Sequence, residues 1–359
     1  MEAPGPITLI GSGETAHIGG QIFEMLARQL PAPLNAAVLE TPAGFETNSS
    51  RVAGRVADFL HHRLQNYEID THLIAARKKG TPYSPDSSAI IDPLYDSHLI
   101  FFGPGSPTYT VRQLEDSLAW QVIQARQRMG AALVLASAAT IAIGKQALPI
   151  YEIYKVGEDP VWKRGLDLLK AYHLEVVIVP HWNNHDGGAD VDTSRCFIGQ
   201  ERFNLLKAQL ADGITVVGID EQTALTIDFS SAECSVRGTG QVHILRGDAQ
   251  TDQDSGSVFP ISNLGPYRPI ENPQEGLPGD VWRAAQQRQA AHLKQAAQLE
   301  QEVQSAAKEV PSKVVRLVQQ RQAARKMKNW ALADQLRDQI QHEGWQVTDS
   351  PDGPRLSPL

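Results

Sequence analysis

The sequence predicts an α/β fold with a doubly wound, mostly parallel sheet, plus a small C-terminal helical appendage. In the first two-thirds of the chain, short runs of Val, Ile and Leu alternate with stretches of helical spacing. Apolar strands separated by helices are typical of a parallel sheet that is covered on both faces. After Arg246 the sequence becomes polar and then helical, so the 359 residues are expected to form more than one domain.

Apolar runs bounded by glycine, proline or polar residues mark the predicted strands. These runs are Ile7–Ile10, Ala37–Leu39, Ile69–Ile74, Leu99–Phe102, Ala132–Leu135, Val176–Val179 and Thr215–Ile219. Helical spacing follows Ser49–Ser50, and it extends again from Tyr109 to Met129 with a break. Alternation over Cys234–Leu245 predicts an antiparallel hairpin or edge.

Four segments are predicted along the chain. Residues 1–246 are expected to form the α/β domain, and the polar stretch 247–279 a linker that proteases cut first. A Gln- and Ala-rich connecting helix is predicted over 280–310. The segment 311–359 is predicted to be a helical hairpin, with Asn329 capping its second helix.

Composition argues against several classes of function. The formal net charge of -8 disfavours wholesale binding of nucleic acid. No apolar stretch approaches the roughly 18 residues that span a bilayer, and the N-terminus lacks the basic region of a signal peptide. A cytoplasmic protein without a membrane partner is therefore expected. Cys196 and Cys234 lie far apart without CxxC spacing, so we expect neither a disulfide scaffold nor a metal, and no cofactor.

Ser137 is the first candidate catalytic residue. It ends the apolar strand in VLASAAT (134–140) and is followed by small residues, as the strained turn of a nucleophile elbow requires. Open α/β sheets bind ligands at this edge of the sheet. The next backbone N–H, that of Ala138, can stabilise an oxyanion. An ordinary N-cap serine is the alternative interpretation.

The loop VPHWNNHDGG (179–188) supplies candidate bases. It places His181, His185 and Asp186 together after a predicted strand, and a general base for Ser137 must be a histidine or carboxylate within reach. An H-x3-H pair can bind a metal, but the glycines indicate a loop rather than the helix that such a site favours. Histidines held in a turn by hydrogen bonds remain the alternative.

Three further loops contribute weaker signals. The segment GIDEQTAL (218–225) places Asp220 and Glu221 at a strand end, where a carboxylate can orient a histidine or cap a turn. Glycine-rich loops at 103–106 and 11–14 let backbone N–H groups approach a ligand, as ordinary turns also do.

Together these segments resemble the cyanophycinase and dipeptidase E family, serine peptidases on a fold related to class I glutamine amidotransferases. The matching residues, within about residues 5–245, are Gly11–Glu14, Gly103–Ser106, Thr108, Ser137–Ala138 and Gly218–Leu225. The resemblance implies Ser137 as nucleophile, Gly105 and Ala138 as oxyanion donors, and Glu221 as the acidic partner. Further polar residues are candidates for substrate binding, namely Glu14, Ser106, Asp186 and Asp220. The elbow has Ala139 where the family has glycine, and its serine argues against glutamine amidotransferase activity.

The sequence departs from the family a second time at the expected position of the catalytic histidine. In the family that histidine precedes an Arg-containing helix. The corresponding stretch 192–206 contains no histidine, and Cys196 or Phe197 falls near the expected position. His181 matches a different, upstream histidine of the family. Either His181 or His185 is therefore the base, or the triad is incomplete.

The C-terminal segment resembles the end of cysteinyl-tRNA synthetases. The shared positions are Ala324, Arg325, Lys328, Trp330, Ala331, Ala333, Asp334, Arg337, Asp338, Gly344, Asp349, Pro351, Asp352 and Gly353. The chain has no HIGH or KMSKS segment, so aminoacylation is not implied. The resemblance implies a small accessory module, which in synthetases lies near the anticodon-binding region.

A run of cations accompanies this module. Arg321, Arg325 and Lys328 share one helix face, and such a face can contact the phosphates of tRNA or engage another translation partner. Trp330 and Trp345 are expected to pack inside the hairpin. A solvated basic face is one alternative, and a homodimer formed through the connecting helix is another.

Two functions compete for the first domain. The leading hypothesis is a serine hydrolase that cleaves a small peptide or amide. Its rival is a binding protein that retains the pocket without catalysis. A hydrogen bond between Ser137 Oγ and a histidine nitrogen would favour the enzyme.

Overall fold

The computed structural model describes residues 3–308, 310–350 and 353–359, and their side chains apart from 295, 296, 299–308 and 358. The chain forms two compact units, Met1–Gln286 and Gln287–Leu359. The predicted α/β fold class and the small C-terminal helical region are both confirmed. None of the helices in the described part of the chain is long and apolar enough to cross a membrane.

The strands and helices follow in chain order. The strands are β1 (Ile7–Ile10), β2 (Asn35–Leu39), β3 (Asp70–Ile74), β4 (Leu99–Phe102), β5 (Ala132–Ala136), β6 (Gln146–Ala147), β7 (Lys163–Arg164), β8 (Val176–Val179), β9 (Thr215–Ile219), β10 (Thr223–Asp228), β11 (Glu233–Gly238), β12 (Gln241–Arg246), β13 (Ala249–Asp254), β14 (Val258–Pro260), β15 (Trp345–Ser350) and β16 (Gly353–Pro358). The α-helices are α1 (His17–Ala27), α2 (Ser49–Arg63), α3 (Ser88–Ile91), α4 (Pro107–Leu114), α5 (Leu118–Arg128), α6 (Ala138–Ala142), α7 (Gly199–Lys207), α8 (Gly279–Lys308), α9 (Ser312–Lys326) and α10 (Trp330–His342).

Two sheets organise the first unit. Within the described residues the larger sheet has the order β14-β11-β10-β1-β5-β4-β2-β3, and the smaller has the order β13-β12-β9-β8. Strands β1 to β5 of the larger sheet are parallel, whereas β10, β11 and β14 add an antiparallel edge. Strands β1, β4 and β5 are buried along their whole length, which explains why all their residues but Thr8 are apolar.

The predicted break in the helix from Tyr109 to Met129 lies between α4 and α5. Asp116 has a positive φ of 58° there, which ends the first helix. The Ser117 side chain then accepts a hydrogen bond from the Trp120 N–H and caps the second helix.

The expected hairpin over Cys234–Leu245 is wrong. Strand β11 pairs with β10 and β14 in the larger sheet, and β12 pairs with β9 and β13 in the smaller one. The chain crosses between sheets at Gly238–Gly240. Alternate residues are buried in β11, whereas β12 is buried at four consecutive positions. This crossing brings β12 next to β9, whose carboxyl end carries a candidate carboxylate.

The predicted linker over 247–279 is also wrong. It contains β13 and β14, which extend both sheets, and it buries Phe259, Ile261 and Leu264 in the core. Strand β13 was not predicted because it is an edge strand. It gains main-chain hydrogen bonds, but its side chains stay mostly exposed, so its sequence has no apolar pattern. Preferential proteolysis of this stretch is therefore no longer expected.

The second unit has its own small core. Helices α9 and α10 pack together and against the β15–β16 hairpin. Its buried apolar side chains are Val314, Val318, Ala324, Ala333, Leu336, Ile340 and Val347. As predicted, the Asn329 side chain caps α10 by accepting a hydrogen bond from the Leu332 N–H at 3.2 Å. Pro351 and Asp352 of the synthetase-like motif lie outside the described residues.

An ion pair between a buried arginine and an exposed aspartate ties α9 to β15. Arg321 is 4% exposed, and its guanidinium donates two hydrogen bonds to the Asp349 carboxylate, at 2.8 and 2.9 Å. Arg325 adds a third contact at 2.7 Å. The hydrogen bond from Arg321 is the main reason that the pKa of Asp349 is lowered. The pair therefore stabilises the unit above the ordinary pKa of aspartate, and this stabilisation is lost as pH falls through the lowered pKa.

Removing the carboxylate should loosen this unit. We expect Asp349→Ala to destabilise it by about 2 kcal/mol, because the buried Arg321 would lose its partner. In hydrogen–deuterium exchange of the full chain, protection of α9 and α10 should fall by about 30-fold. Asp334→Ala is the matched control, since that carboxylate is exposed and 3.6 Å from Arg337. Equal protection in both variants would contradict the prediction.

Candidate active site

Ser137 lies in a strained turn between β5 and α6. Its φ of 52° and ψ of −114° lie outside the regions that non-glycine residues favour, and such strain costs about 1–3 kcal/mol. The N-cap interpretation is not supported, because the side chain makes no capping hydrogen bond. Its neighbours Ala138 and Ala139 are buried in the first turn of α6, where helical backbone accepts alanine in place of glycine.

A hydrogen-bonded chain of three side chains begins at this serine. Ser137 Oγ lies 3.0 Å from His181 Nε2, and His181 Nδ1 lies 2.9 Å from Glu221 Oε1. The three residues come from the carboxyl ends of β5, β8 and β9, which places them at one edge of the fold. The arrangement is that of a nucleophile, a general base and an orienting acid.

Two asparagines, which sequence reasoning missed, hold Glu221. Asn184 Nδ2 donates a 2.9 Å hydrogen bond to Glu221 Oε1, and Asn183 Oδ1 accepts one of 2.8 Å from the Glu221 N–H. Both belong to the same loop as His181, so the loop that carries His181 also holds Glu221. Their adjacency to the histidines in VPHWNNHDGG was the available signal.

His185 and Asp186 do not join this chain. Both side chains are exposed, and Asp186 N–H donates to Asn184 Oδ1 within the turn. His185 was the alternative base, but the loop turns at Asn184 and leaves it at the surface. Neither residue lines the cleft beside Ser137.

Cys196 and Phe197, which fall near the place of the family's histidine, support His181 instead. The Cys196 N–H donates to the His181 carbonyl at 3.1 Å, and the Phe197 ring lies 5.6 Å from the imidazole. Both residues and Arg195 have positive φ values of 56° to 68°. Burial raises the pKa of the Cys196 thiol to about 12, so it is a poor nucleophile near neutral pH.

The two predicted oxyanion residues border the same cleft. Ala138 opens α6, so its N–H belongs to the helix N-terminus, where such groups lack intrahelical partners. Gly105 has a φ of +150°, and a Cβ built there would lie 2.0 Å from the Pro42 carbonyl oxygen. Only glycine therefore fits this loop against residues 41–43.

This close approach gives a stability prediction. Gly105→Ala should destabilise the first unit by at least about 2–3 kcal/mol, because both the clash and the backbone angle penalise a side chain. Gly54→Ala is the matched control, since Gly54 lies in α2 with open space around its Cα and should gain up to about 1 kcal/mol. Chemical unfolding of the full chain measures both, and equal midpoints would contradict the assigned packing.

The cleft beside Ser137 has a volume of about 270 Å³. Its lining residues are Gly105, Ser137, Ala138, Ile141, Ile150, Tyr151, Tyr154, Lys155, His181, Cys196 and Phe197. Tyr154 and Lys155 lie in the π-helical turn Glu152–Val156, and Tyr151 immediately precedes it. No sequence pattern predicted this turn. Thr108 donates a hydrogen bond of 2.6 Å to Glu152 and links this turn to α4.

The other candidates for substrate binding lie elsewhere. Ser106 is buried and caps α4, because its Oγ accepts from the Tyr109 N–H at 3.2 Å. Asp220 is 6% exposed, and both of its carboxylate oxygens have partners within the protein. Glu14 is half-buried and does not line the cleft. The described residues include no group of three or more His, Cys, Asp or Glu that could hold a metal ion.

The predicted basic face of the second unit is only partly available. Arg321 is buried against Asp349, and Arg325 shares that carboxylate, so neither is a free cation for phosphate. The prediction of a free basic face was wrong because Asp349 of β15 packs against these two arginines. Lys328 is exposed. Trp330, expected inside the hairpin, is 57% exposed, with the Arg325 guanidinium 5.8 Å from its ring, whereas Trp345 is partly buried against the core.

Comparisons with known proteins find two kinds of similarity. No protein-family model matches it. A segment of about 50 residues is similar to cysteine–tRNA ligases, with 52% identity over 50 residues in Chlamydia pneumoniae and 46% over 48 residues in Methanosarcina mazei. These matches cover 13–14% of this chain and 10% of each ligase, so the chain spans about a tenth of the ligases' length.

Solved structures are similar over a much longer part of the chain. A peptidase from an acI-B1 actinobacterium aligns with a TM-score of 0.57 and 19% identity, covering 72% of this chain and 97% of that one. A putative peptidase E protein from Listeria monocytogenes EGD-e aligns at a TM-score of 0.41 with 13% identity. Over most of its length the chain therefore has the fold of the actinobacterial peptidase, and it also carries a segment similar to cysteine–tRNA ligases.

Proposed function

We propose that the first unit is a serine hydrolase that cleaves a small peptide or amide, with Ser137 as its nucleophile. The proposal rests on two hydrogen bonds, one of 3.0 Å between Ser137 Oγ and His181 Nε2 and one of 2.9 Å between His181 Nδ1 and Glu221 Oε1. A binding protein that had lost catalysis would have no need of the strained backbone at Ser137. The fold of the actinobacterial peptidase and the small cleft support the substrate class.

The proposed reaction transfers an acyl group in two halves. Ser137 Oγ bonds to the carbonyl carbon while its proton moves to His181 Nε2, and the carbonyl oxygen becomes an oxyanion near the N–H groups of Gly105 and Ala138. Glu221 stabilises the imidazolium through Nδ1. The C–N bond then breaks, and His181 gives its proton to the leaving amine. A water molecule that is deprotonated by the same nitrogen hydrolyses the Ser137 ester and restores the site.

A fluorophosphonate tests the nucleophile directly. We expect the full chain to gain one phosphonyl group, which peptide mass spectrometry should locate at Ser137. Ser137→Ala should not react, and neither should heat-unfolded protein, in which Ser137 has lost His181. Failure of the folded wild-type chain to react, or equal reaction of Ser137→Ala, would overturn the proposal. Release of free amine from a panel of dipeptides then tests the substrate class.

We infer a second candidate function, RNA binding, for the second unit. The favouring observation is the exposed Trp330 beside exposed cations at the α9–α10 turn, Lys326 and Lys328. Cations supply phosphate contacts, and an exposed aromatic ring can stack on a base. The similarity of about 50 residues to cysteine–tRNA ligases agrees with such a partner.

RNA binding makes a salt-dependent prediction. The full chain should bind bulk tRNA weakly at about 50 mM salt and lose most of its affinity by about 200 mM. Lys326→Glu combined with Lys328→Glu should weaken binding at least about 10-fold at low salt. The matched control is Arg51→Glu combined with Arg55→Glu, on exposed positions of α2. Absence of wild-type binding at low salt, or equal loss in both double variants, would contradict this function.

A further inference from the structure

A second histidine, His243 on β12, is buried behind the catalytic loops. Its side chain is 10% exposed and does not line the cleft. Its Nε2 lies 3.2 Å from Asp220 Oδ1, and its Nδ1 lies 2.8 Å from Asp252 Oδ1 on β13. Asp220 immediately precedes Glu221, so this contact anchors the loop that carries the acid of the triad.

The same imidazole also contacts the loop that carries the base. Trp182 immediately follows His181, and its ring stacks on His243 with centroids 5.3 Å apart and planes inclined by 22°. Gly218, opposite His243 in β9, leaves room for this indole, because a Cβ there would lie 2.4 Å from it. His243 therefore contacts Trp182, the residue after His181, and Asp220, the residue before Glu221.

Arg195 completes the group around the indole. Its guanidinium lies 4.0 Å from the Trp182 ring centroid, and it donates a 3.0 Å hydrogen bond to the Trp182 carbonyl. Arg195 also interacts electrostatically with Asp220 and Asp252. The charged groups facing His243 are thus two carboxylates, with one guanidinium nearby.

This environment determines the protonation of His243. Both ring nitrogens face carboxylate oxygens, so both contacts are hydrogen bonds only when both nitrogens carry protons. Burial works to lower the pKa of His243, but the hydrogen bonds to Asp220 and Asp252 outweigh it and raise the pKa above its ordinary value. The imidazolium and Arg195 together then balance the two carboxylates.

We propose that His243, as an imidazolium held between Asp220 and Asp252, is a positioning residue for the pair His181 and Glu221. The proposal rests on the proposed hydrolase function. His181 has a φ of 49°, a conformation that its surroundings must impose. The stack on Trp182 and the hydrogen bond to Asp220 hold the two loops at a fixed separation, and a misplacement of about 1 Å would slow the chemistry.

The proposal predicts a rate effect with a distinctive pH dependence. In His243→Gln, phosphonylation of Ser137 at saturating reagent should slow by about 10- to 100-fold, with little change in the half-saturating concentration. The wild-type rate should fall at alkaline pH as His243 loses its raised-pKa proton. That fall should be absent in His243→Gln, which has no proton to lose there.

The experiment follows phosphonylation of the full chain against pH for wild type, His243→Gln and Asp252→Asn. Asp252 is partly exposed, so Asp252→Asn keeps the test open should His243→Gln fail to fold. His72→Gln, at a partly exposed histidine on β3, is the matched control and should behave as wild type. A wild-type rate and an unchanged pH profile in the foldable variants would overturn positioning while leaving the hydrolase intact.

A nuclear magnetic resonance measurement separates the two proposals. With ¹⁵N-labelled histidine, the wild-type His243 ring should show two protonated nitrogens, and the His181 ring signals should shift in His243→Gln or Asp252→Asn. Should the wild-type chain not react with the fluorophosphonate, the hydrolase proposal fails, and these signals alone decide the structural coupling. Unchanged His181 signals in the variants would overturn it.

Discussion

Replacing His181 by glutamine is expected to slow phosphonylation of Ser137 by at least about 10⁴-fold. His181 Nε2 lies 3.0 Å from Ser137 Oγ, and in the proposed mechanism it takes the proton as the serine attacks. Glutamine fills similar space and can hydrogen-bond the hydroxyl, but it cannot accept a proton near neutral pH. Rates of labelling by a fluorophosphonate, measured on the full chain, check this.

His185→Gln is the matched control for that experiment. It makes the same chemical change four residues further along the same loop, at an exposed side chain away from the cleft. Its labelling rate should stay within about twofold of wild type. If His185→Gln lowers the labelling rate as much as His181→Gln does, the effect comes from disturbing the loop and not from removing the base.

The second large effect is expected from Glu221→Ala, with a loss of about 10³- to 10⁴-fold. Glu221 Oε1 accepts hydrogen bonds from His181 Nδ1 and Asn184 Nδ2, both at 2.9 Å. Without it the imidazole is free to adopt the tautomer whose Nε2 carries the proton, and the imidazolium loses its counter-charge. The first-order rate of phosphonylation at saturating reagent measures the change.

Asp186→Ala controls for the loss of a carboxylate near this loop. Asp186 is exposed, and only its backbone N–H joins the turn, so the rate should be unchanged. Near-wild-type labelling of Glu221→Ala would remove the acid from the mechanism. Equal losses in both variants would indicate a general electrostatic effect instead.

Sequence patterns predicted the buried strands well. Ile7–Ile10, Leu99–Phe102, Val176–Val179 and Thr215–Ile219 were predicted with their observed bounds. Such strands are covered on both faces, so most of their residues are apolar and the apolar run in the sequence coincides with the strand. The exposed edge strand β13 left no such pattern, because it pairs with β12 along its main chain while most of its side chains stay exposed.

The basic face of α9 shows how tertiary contacts override a local pattern. Helical spacing correctly placed Arg321 and Arg325 close together, but Asp349 from β15 forms ion pairs with both. Exposure of Trp330 likewise depends on which α10 residues meet α9. Charge and spacing within one helix carry no information about the strand that packs onto it.

For the site, a motif at a strand end predicted Ser137 at an elbow, and the resemblance to the peptidase family implied Glu221 as its acidic partner. The choice between His181 and His185 was decided by the tertiary structure, because the turn at Asn184 aims only the first toward Ser137. The cleft wall at Tyr151–Lys155 and the contacts of His243 could not be predicted from the sequence for the same reason. Segments far apart in sequence create these contacts, and only the packing of two sheets brings them together.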